Sequence, residues 1–374
     1  MLKVATVFSG IGAIEFALKR MGVEHEIVFA CDNGEREVNI DYVREMPIVK
    51  SLSSPIEKRD YVAKLYATAT KCKNYMEESY KANYDVKDGM FFQDVCLLDG
   101  RDFYGQVDLF VGGSPCQSFS SVGFEAGLDD TRGTLFYEFG RLVEEIQPKV
   151  FIYENVRNML QHDKGKTWTV IKSVFDKLNY DIKFDVLNAS DYGIPQTRRR
   201  LFVIGIRKDV PHESLQFPPQ PIELKYKAQD FLIESCAEGH FMSLDGNVVA
   251  ENMPGEIDEK YFLTPKLKNY VMCTGTKTFS TPIKIDLPVA RTLLKTMGNR
   301  HRAGVDNYYT VNGRIRMLSE REALRLMGFT DDFKQVVSRA QMYKQAGNSI
   351  VVDVMIAVLK AINKSYKLYG GKNA

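Results

Sequence analysis

Short apolar runs alternate with helix-like segments in the first half of the chain. The runs are rich in β-branched and aromatic residues, and they predict strands at 3–8 (KVATVF), 26–31 (EIVFAC), 107–111 (VDLFV), 149–154 (KVFIYE) and 200–206 (RLFVIGI). Alternation of strands and helices is typical of a doubly wound α/β sheet. We therefore expect a Rossmann-like sheet to form the first domain.

Three segments between these runs have apolar residues at helical spacing. In the first, the apolar positions that share one helix face are Ile14, Ala17, Leu18 and Met21. The other two run from Phe136 to Ile146 and from Thr167 to Leu178. Residues 36–80, rich in charge and tyrosine, predict a helical insertion, and no function is assigned to it.

The regular pattern of apolar residues ends at about Pro211. The stretch FPPQPIEL is typical of a linker, and weak periodicity follows for about a hundred residues. Regular pattern returns at LSEREALRLMGF and in a last helix, 349–366. We predict a catalytic and cofactor-binding domain at 1–210 with 337–374, and a smaller, irregular domain with a hinge at 211–336.

Composition narrows the class of protein. The chain has 374 residues, of which 44% are hydrophobic and 26% charged, as in a soluble enzyme of two domains. Its six cysteines form no C-x-x-C pair, so neither a disulfide framework nor a zinc site is indicated. No apolar run approaches the ~18 residues of a membrane span. We expect an intracellular protein.

Charge is uneven along the second half, although the net charge is only +2. Residues 209–259 hold eleven Asp and Glu against two lysines, whereas 260–302 hold nine Lys and Arg against Asp286. The basic block is either a solvated face or a surface that contacts phosphates.

A glycine turn, FSGIGA, follows the first predicted strand. Gly10 and Gly12 allow a tight turn and close approach of a ligand, although any strand-to-helix turn has use for glycine. Asp32 follows the second strand about twenty residues later, where an acid binds ribose hydroxyls. The pair favours an adenosine-containing cofactor, and Glu15 at the third glycine position disfavours a dinucleotide.

Cys116, in GGSPCQSFSS, has no apolar neighbour that suggests a core position. Most unpaired cysteines are buried and inert. This one follows the carboxyl end of a strand, which is the ligand crevice of an open α/β sheet. Glycines flank it in the pattern of a mobile lid. Cys116 is therefore a candidate nucleophile, beside the alternative of an inert thiol.

Polar residues near two further strands point to the same crevice. Glu154 ends the fourth predicted strand, where it is either a carboxylate of the site or a helix cap or ion pair. Gln196, Arg198 and Arg200 precede the fifth strand, and they form a solvated turn or bind phosphates or a base carbonyl. A thiolate, an acid and cationic donors suit methyl transfer to an electron-poor ring such as a pyrimidine.

Seven motifs of the chain resemble, in order, those of the cytosine-5 DNA methyltransferases. They are FSGIGA, GGSPCQSFS, DDTRGTLFYE, PKVFIYENV, LNASDYGIPQTRRR, RMLSEREALRLMGF and QAGNSIV. The resemblance implies an S-adenosylmethionine-dependent methyltransferase sheet with a small target-recognition domain. The chain departs from the family at Ala13, where a glycine is usual, and at Asn33, where an aromatic residue often stacks on adenine.

The resemblance implies a role for each group. Cys116 attacks C6 of a cytosine flipped out of the duplex, Glu154 protonates N3, and Arg198 and Arg200 hold the base carbonyl and the flanking phosphates. C5 takes a methyl group from S-adenosyl-L-methionine, which leaves as S-adenosyl-L-homocysteine, and no metal is needed. The residues implied around the cofactor are Phe8, Gly10, Gly12, Asp32, Asp94, Leu135, Asn348 and Ile350. Of these, Asp94 accepts from the adenine amino group.

The resemblance also implies where DNA is contacted. The expected base-reading and phosphate-contacting loops are 273–280 and 290–302. The residues expected to contact DNA or to shape the lid are Gln117, Ser120, Thr276, Lys277, Thr292, Leu293, Arg300 and Arg302. We expect a monomer that binds double-stranded DNA and no membrane, in the cytoplasm of a bacterial or phage-infected cell at the nucleoid. Any cognate restriction endonuclease is expected to act separately.

Other functions stay open at this point. An RNA-directed member of the superfamily would methylate a tRNA cytosine, but the long variable segment favours DNA. A catalytically silent DNA-binding module would not need Cys116, Glu154 and both arginines. An amino-group methyltransferase would not need the thiol.

Overall fold

The strands of the first half form at the predicted places. The computed structural model describes residues 1–115, 135–273, 275–276, 279–280, 282–298 and 304–370, with the backbone alone at 275–276 and 279–280. The strands are β1 (Leu2–Val7), β2 (His25–Cys31), β3 (Phe91–Phe92), β4 (Leu109–Gly112), β5 (Val150–Val156), β6 (Tyr180–Asn188), β7 (Gln196–Thr197) and β8 (Arg199–Arg207). The five predicted strands are confirmed as β1, β2, β4, β5 and β8.

Seven of these strands form one sheet in the order β3-β2-β1-β4-β5-β8-β6. All neighbours from β3 to β5 are parallel, whereas β8 runs antiparallel to both β5 and β6. The predicted doubly wound α/β sheet is confirmed. The sequence pattern did not predict β3, which has only two residues, or β6, which lies at the sheet edge and has a polar, mostly accessible sequence.

The described residues form ten α-helices, some of which cover the two faces of the sheet. They are α1 (Ala13–Arg20), α2 (Tyr42–Ser51), α3 (Pro55–Ala69), α4 (Tyr75–Asn83), α5 (Leu135–Ile146), α6 (Lys166–Lys177), α7 (Pro265–Val271), α8 (Glu320–Arg325), α9 (Arg339–Asn348) and α10 (Val352–Ser365). The predicted helices at α1, α5, α6 and α10 are confirmed, and the 36–80 segment is helical between β2 and β3. The last helix begins three residues later than predicted because α9 ends at Asn348.

Side chains alternate between two cores along the central strands. On β4, Leu109 and Val111 join the cluster that packs against α1 and α10, whereas Phe110 joins the cluster of α5 and α6. This two-residue period is that of a strand buried on both faces. The sheet is thereby held between two helical layers, and its strand ends are held in place.

The second half of the chain adds short strands around the sheet. They are β9 (Phe241–Leu244), β10 (Asn247–Ala250), β11 (Gly275–Thr276), β12 (Phe279–Ser280), β13 (Ala290–Arg291), β14 (Tyr308–Val311) and β15 (Arg314–Met317). Phe231 and Phe241 are buried in the same core as α1 and α10, while residues 257–317 contribute a small cluster of their own. The division at 211–336 stays a prediction, because Phe231, Leu293 and Tyr309 of this range all share the core of α1 and α10.

Arg20 ties this second half to the sheet. Its guanidinium binds both carboxylate oxygens of Asp353 at 2.7 and 2.9 Å, and it donates to the carbonyls of Gly246 and Gly328 at 2.7 and 2.8 Å. Because the pair is buried and its donors are paired, it fixes α1, the β9–β10 hairpin and α10 together.

One stretch among the described residues, Arg339–Ser365, is long and apolar enough to cross a membrane, since an 18-residue window within it has a mean hydropathy of 1.4. It covers α9 and α10, and 72% of the window is buried inside the fold. Its apolar residues therefore form core contacts.

Glu15 of α1 is a carboxyl group inside this core. The residue is 0% exposed, and its Oε1 accepts from Tyr80 Oη at 2.5 Å and from Thr6 Oγ1 at 3.1 Å. Its Oε2 has no hydrogen-bond partner among the described residues. Burial raises the pKa of Glu15 to about 7.

The buried Glu15 predicts a pH-dependent stability. The unfolded chain ionises this carboxyl near pH 4.5, but the folded chain retains the proton to about pH 7. The contribution of the Glu15 carboxyl to the free energy of unfolding is fully present below pH 4.5. About 3 kcal/mol of the free energy of unfolding is lost as the pH rises from 4.5 to 7. We expect Glu15→Gln to remove this loss, so the variant gains about that much relative to wild type between pH 4.5 and 8, as measured by urea unfolding.

The matched control is Glu24→Gln, which changes an exposed carboxyl group near the same helix. We expect it to leave the pH dependence unchanged. Equal pH profiles for Glu15→Gln and wild type would contradict the assignment.

Candidate active site

Four strands bring their carboxyl ends to one edge of the sheet. Val7 of β1 pairs with Cys31 of β2 and with Gly112 of β4, and Gly112 pairs in turn with Tyr153 of β5. The residues that follow these positions are Phe8, Asp32, Gly113 and Glu154. They therefore share one edge, which is the ligand crevice of an open α/β sheet.

The glycine turn after β1 has the backbone that its sequence predicts. Phe8, Gly10 and Gly12 all have positive φ, at 54°, 55° and 75°. A Cβ on Gly12 would lie 2.3 Å from the Tyr84 ring, so only glycine fits there. A Cβ on Gly10 would meet nothing within 4 Å, so the turn borders open space. Ala13, the departure from the family, is buried at the start of α1.

Asp32 closes this turn from the end of β2. Its Oδ2 accepts from the Gly10 N–H at 2.9 Å, and its Oδ1 accepts from the Gly34 N–H at 2.8 Å. Burial raises its pKa, and these two backbone donors oppose the rise. Asn74 donates to the Asp32 carbonyl at 2.7 Å, so the helical 36–80 segment supports the turn. This role of Asn74 was not predicted, since nothing in the sequence pattern pairs Asn74 with Asp32.

Asp94 lies two residues beyond β3, beside Asp32. It is 5% exposed, and its Oδ2 accepts from Tyr66 Oη at 2.9 Å and from Tyr42 Oη at 3.1 Å. Its Oδ1 accepts from the Cys96 N–H at 2.9 Å. Burial raises the pKa of Asp94, which these donors oppose. Both tyrosines belong to the helical segment and were not predicted.

Glu154 and Arg200 form an ion pair at the same edge. Arg200 Nε lies 3.1 Å from Glu154 Oε1. Burial raises the pKa of Glu154, while the charges of Arg200 and Arg198 lower it. The pair forms because β8 is antiparallel to β5, so that Val156 pairs with Arg200 where β5 ends and β8 begins.

The residues before Cys116 are anchored to β5. Asn155 Nδ2 donates to the Ser114 carbonyl and to Tyr153 Oη, both at 2.8 Å, and Ser114 Oγ lies 2.7 Å from the same Tyr153 Oη. A Cβ on Gly113 would lie 2.9 Å from Glu154 Oε2, so the chain passes directly against that carboxylate. Cys116 itself, with Gln117 and Ser120, lies outside the described residues.

Arg198 is placed differently from Arg200. It is buried, and its guanidinium donates to the carbonyls of Leu293 at 3.0 Å, Gly347 at 3.0 Å and Ser349 at 2.8 Å. Burial and the Arg200 charge lower its pKa to about 9. Its bonds therefore join β7, the 290–298 segment and the end of α9, and its predicted contact with a base or phosphate stays a prediction.

The predicted Thr-Leu pair packs against this junction. Leu293 is 1% exposed, and its N–H donates to Gln196 Oε1 at 3.0 Å. Thr292 Oγ1 donates to the Thr197 carbonyl at 2.6 Å. Of the other predicted DNA contacts, Lys277, Arg300 and Arg302 lie outside the described residues, and Thr276 is described by its backbone in β11. Base reading thus stays a prediction.

The remaining cofactor candidates lie around the same edge. Glu35 lies three residues after Asp32 in the sequence. Its Oε1 accepts from Asn348 Nδ2 at 2.8 Å, and its other oxygen binds Lys344 at 2.7 Å. Leu135 and Ile350 are half-buried against the two cores. Within the described ranges, no group of three or more His, Cys, Asp or Glu side chains could hold a metal ion.

Comparison with known proteins identifies the family of this chain. The family model for C-5 cytosine-specific DNA methylases matches residues 65–364. Type II methyltransferase M.HhaI of Haemophilus parahaemolyticus is 34% identical over 299 residues, covering 78% of this chain and 85% of that protein. Type II methyltransferase M.SsoII of Shigella sonnei is 33% identical over 77% of this chain and 71% of that protein.

Among solved structures, the S. pombe Dnmt2 methyltransferase superposes with a TM-score of 0.63 over 97% of this chain and 99% of that one. At 16% identity, this superposition shows that the two chains share a fold and no more. The family match covers most of the chain, and it includes the β5 and β8 strand ends that hold Glu154 and Arg200. This chain is therefore a member of the C-5 cytosine-specific DNA methylase family.

Proposed function

We propose that this chain methylates C5 of a cytosine in a specific double-stranded DNA sequence, with Cys116 as the nucleophile and Glu154 as the acid. The observation that carries the proposal is the ion pair of Glu154 with Arg200 at the crevice edge. Ser114, two residues before Cys116, accepts a hydrogen bond through its carbonyl from Asn155, the residue of β5 that follows Glu154. Membership of the family supports the same reaction.

The proposed reaction begins when the Cys116 thiolate adds to C6 of a cytosine flipped out of the duplex, because stacked neighbours shield C6 in the helix. Electrons move through the ring to N3, which takes the proton of Glu154, and C5 becomes nucleophilic. S-adenosyl-L-methionine supplies the electrophilic methyl group that C5 accepts. A base or water then removes the C5 proton, the C5–C6 double bond re-forms, the thiolate leaves, and N3 returns its proton to Glu154.

The surroundings of Glu154 suit this acid. Burial raises its pKa, so the carboxyl retains its proton nearer neutral pH than an exposed glutamate does. Arg200 limits that rise and fixes the carboxylate through its Nε at 3.1 Å. A free thiol near pKa ~8.5 is mostly protonated at neutral pH, so we expect cationic and backbone donors to favour the Cys116 thiolate.

The glycine turn and two carboxylates fit an adenosyl cofactor. Gly10 borders open space, so a ligand has room to approach the backbone. Asp32 is suited to the ribose hydroxyls and Asp94 to the adenine amino group, because an ionised carboxylate is a strong hydrogen-bond acceptor. We assign Phe8, Gly12, Leu135, Asn348 and Ile350 to the same site as predictions from the family.

We propose that DNA is contacted by the predicted lid around Cys116 and by the basic 260–302 block. We propose that the protein acts in the cytoplasm. Arg198 and Leu293 would act there by holding the 290–298 segment to the catalytic domain, since both are buried. Thr292, Thr276, Lys277, Arg300 and Arg302 remain the candidates for contact with bases and phosphates. A monomer suffices for this arrangement, and a partner endonuclease would act separately.

The nucleophile is tested by bisulfite sequencing of a plasmid co-expressed with the protein. Wild type should protect cytosines in one sequence context, and Cys116→Ala should protect none while still shifting duplex DNA in a gel. Wild type should also form a covalent adduct with 5-fluorocytosine DNA. Methylation that persists in Cys116→Ala would refute the role of Cys116 as the nucleophile.

Glu154→Gln tests the acid. The amide keeps a hydrogen-bonding shape but has no proton to deliver to N3, so turnover should fall by about 10² to 10⁴. Formation of the 5-fluorocytosine adduct should slow as well, although Cys116 is unchanged, while binding of S-adenosylhomocysteine should stay within twofold of wild type. An adduct that forms at the wild-type rate would contradict the role of Glu154.

Gly113→Ala tests the close passage of the chain past Glu154. The added Cβ would lie 2.8 Å from the Glu154 carbonyl and 2.9 Å from its Oε2, and the β5 backbone is held by ladder bonds. We expect turnover to fall by about tenfold or more, with the fold retained by circular dichroism. Gly140→Ala in α5, where the Cβ would meet Val174 at 3.2 Å, is the matched control and should keep full turnover.

A further inference from the structure

Tyr42 covers the Asp94 carboxylate from the outside. Asp94 is 5% exposed, whereas Tyr42, whose hydroxyl lies 3.1 Å from Asp94 Oδ2, is 40% exposed. Tyr42 is the first residue of α2, in the helical segment that had no assigned function. Tyr42 is therefore more exposed than the carboxylate that it binds.

The acceptor sites of Asp94 are already in use. A carboxylate has about four lone-pair sites, two on each oxygen. Tyr42 and Tyr66 fill both sites on Oδ2, and the Cys96 N–H takes one on Oδ1. The Cys96 side chain also bonds the Asp94 carboxylate. An incoming amino group therefore has to replace one of these donors.

Of the three O–H and N–H donors to Asp94, Tyr42 is the most exposed, and the Cys96 thiol is a weak donor beside them. Tyr66 is 2% exposed in the middle of α3, and the guanidinium of Arg36 lies 4.5 Å from the centre of its ring. The Cys96 N–H belongs to the backbone beside Asp94. Tyr42 is 40% exposed and begins α2, so its bond to Asp94 is the one that an incoming amino group can most readily replace.

We propose that the Tyr42 hydroxyl occupies the acceptor that the adenine amino group uses, so that Tyr42 competes with the cofactor for Asp94 and sets its affinity. The inference rests on the proposed assignment of Asp94 to adenine. Cofactor binding then moves the Tyr42 side chain off Asp94 while Tyr66 keeps the carboxylate oriented. The helical 36–80 segment thereby acquires a role in the cofactor site.

Tyr42→Phe tests the competition by calorimetric titration with S-adenosylhomocysteine. The variant keeps the ring and loses the competing hydroxyl, so Kd should fall about threefold to tenfold. Tyr61→Phe is the matched control, because Tyr61 Oη donates to Glu45 Oε2 at 2.6 Å in the same helical layer but away from Asp94. It should leave Kd unchanged, and thermal unfolding should show both variants folded.

A second ligand isolates the amino group. An S-adenosylhomocysteine analogue with hydrogen in place of the 6-amino group needs no acceptor, so Tyr42→Phe should leave its Kd unchanged. Equal gains for both ligands, or no gain for S-adenosylhomocysteine, would overturn the competition.

Asp94→Asn separates this inference from the assignment beneath it. If Asp94 binds the adenine amino group, the variant should weaken S-adenosylhomocysteine about tenfold or more. Unchanged binding in Asp94→Asn would refute the assignment of Asp94 and the competition with it. Weakened binding in Asp94→Asn together with no gain in Tyr42→Phe would refute the competition alone.

Discussion

The antiparallel pairing of β8 with β5 is the constraint on which the site depends. In a fully parallel sheet, the start of β8 would lie at the far edge from the end of β5. Because β8 runs the other way, Arg200 near the start of β8 pairs with Val156, and its guanidinium reaches Glu154 at 3.1 Å. A buried carboxylate without a cation would be costly, so this register keeps the acid in the crevice.

The rest of the fold keeps that edge in place. Two helical layers bury alternate side chains of β4 and β5, and Asn155 fastens the chain at Ser114 to the end of β5. Arg198 fastens the 290–298 segment and the end of α9 by three main-chain carbonyls. The segment that follows Ser114 and the one that follows Leu293 therefore start from anchored points on the same side of the sheet.

The helical segment between β2 and β3 supports the neighbouring part of the edge. Asn74 holds the carbonyl of Asp32, and Tyr42 and Tyr66 hold the carboxylate of Asp94. The sequence predicted helices there from spacing but offered no partner for their polar residues. Such contacts join residues 28 to 52 positions apart, and local periodicity carries no information about them. The edge strand β6 was not predicted for a related reason, since its polar residues face solvent and not a core.

The sequence by itself determined the fold class, the five central strands and the family, because hydrophobic period and motif order are local properties of the chain. It also identified Glu154, Arg198 and Arg200 as a group. Only the tertiary structure decided that Arg200 pairs with Glu154 while Arg198, two residues earlier, is buried against backbone carbonyls. The two arginines differ because strand direction and layer packing set the surroundings of each guanidinium. The spacing of residues along the sequence does not predict either property.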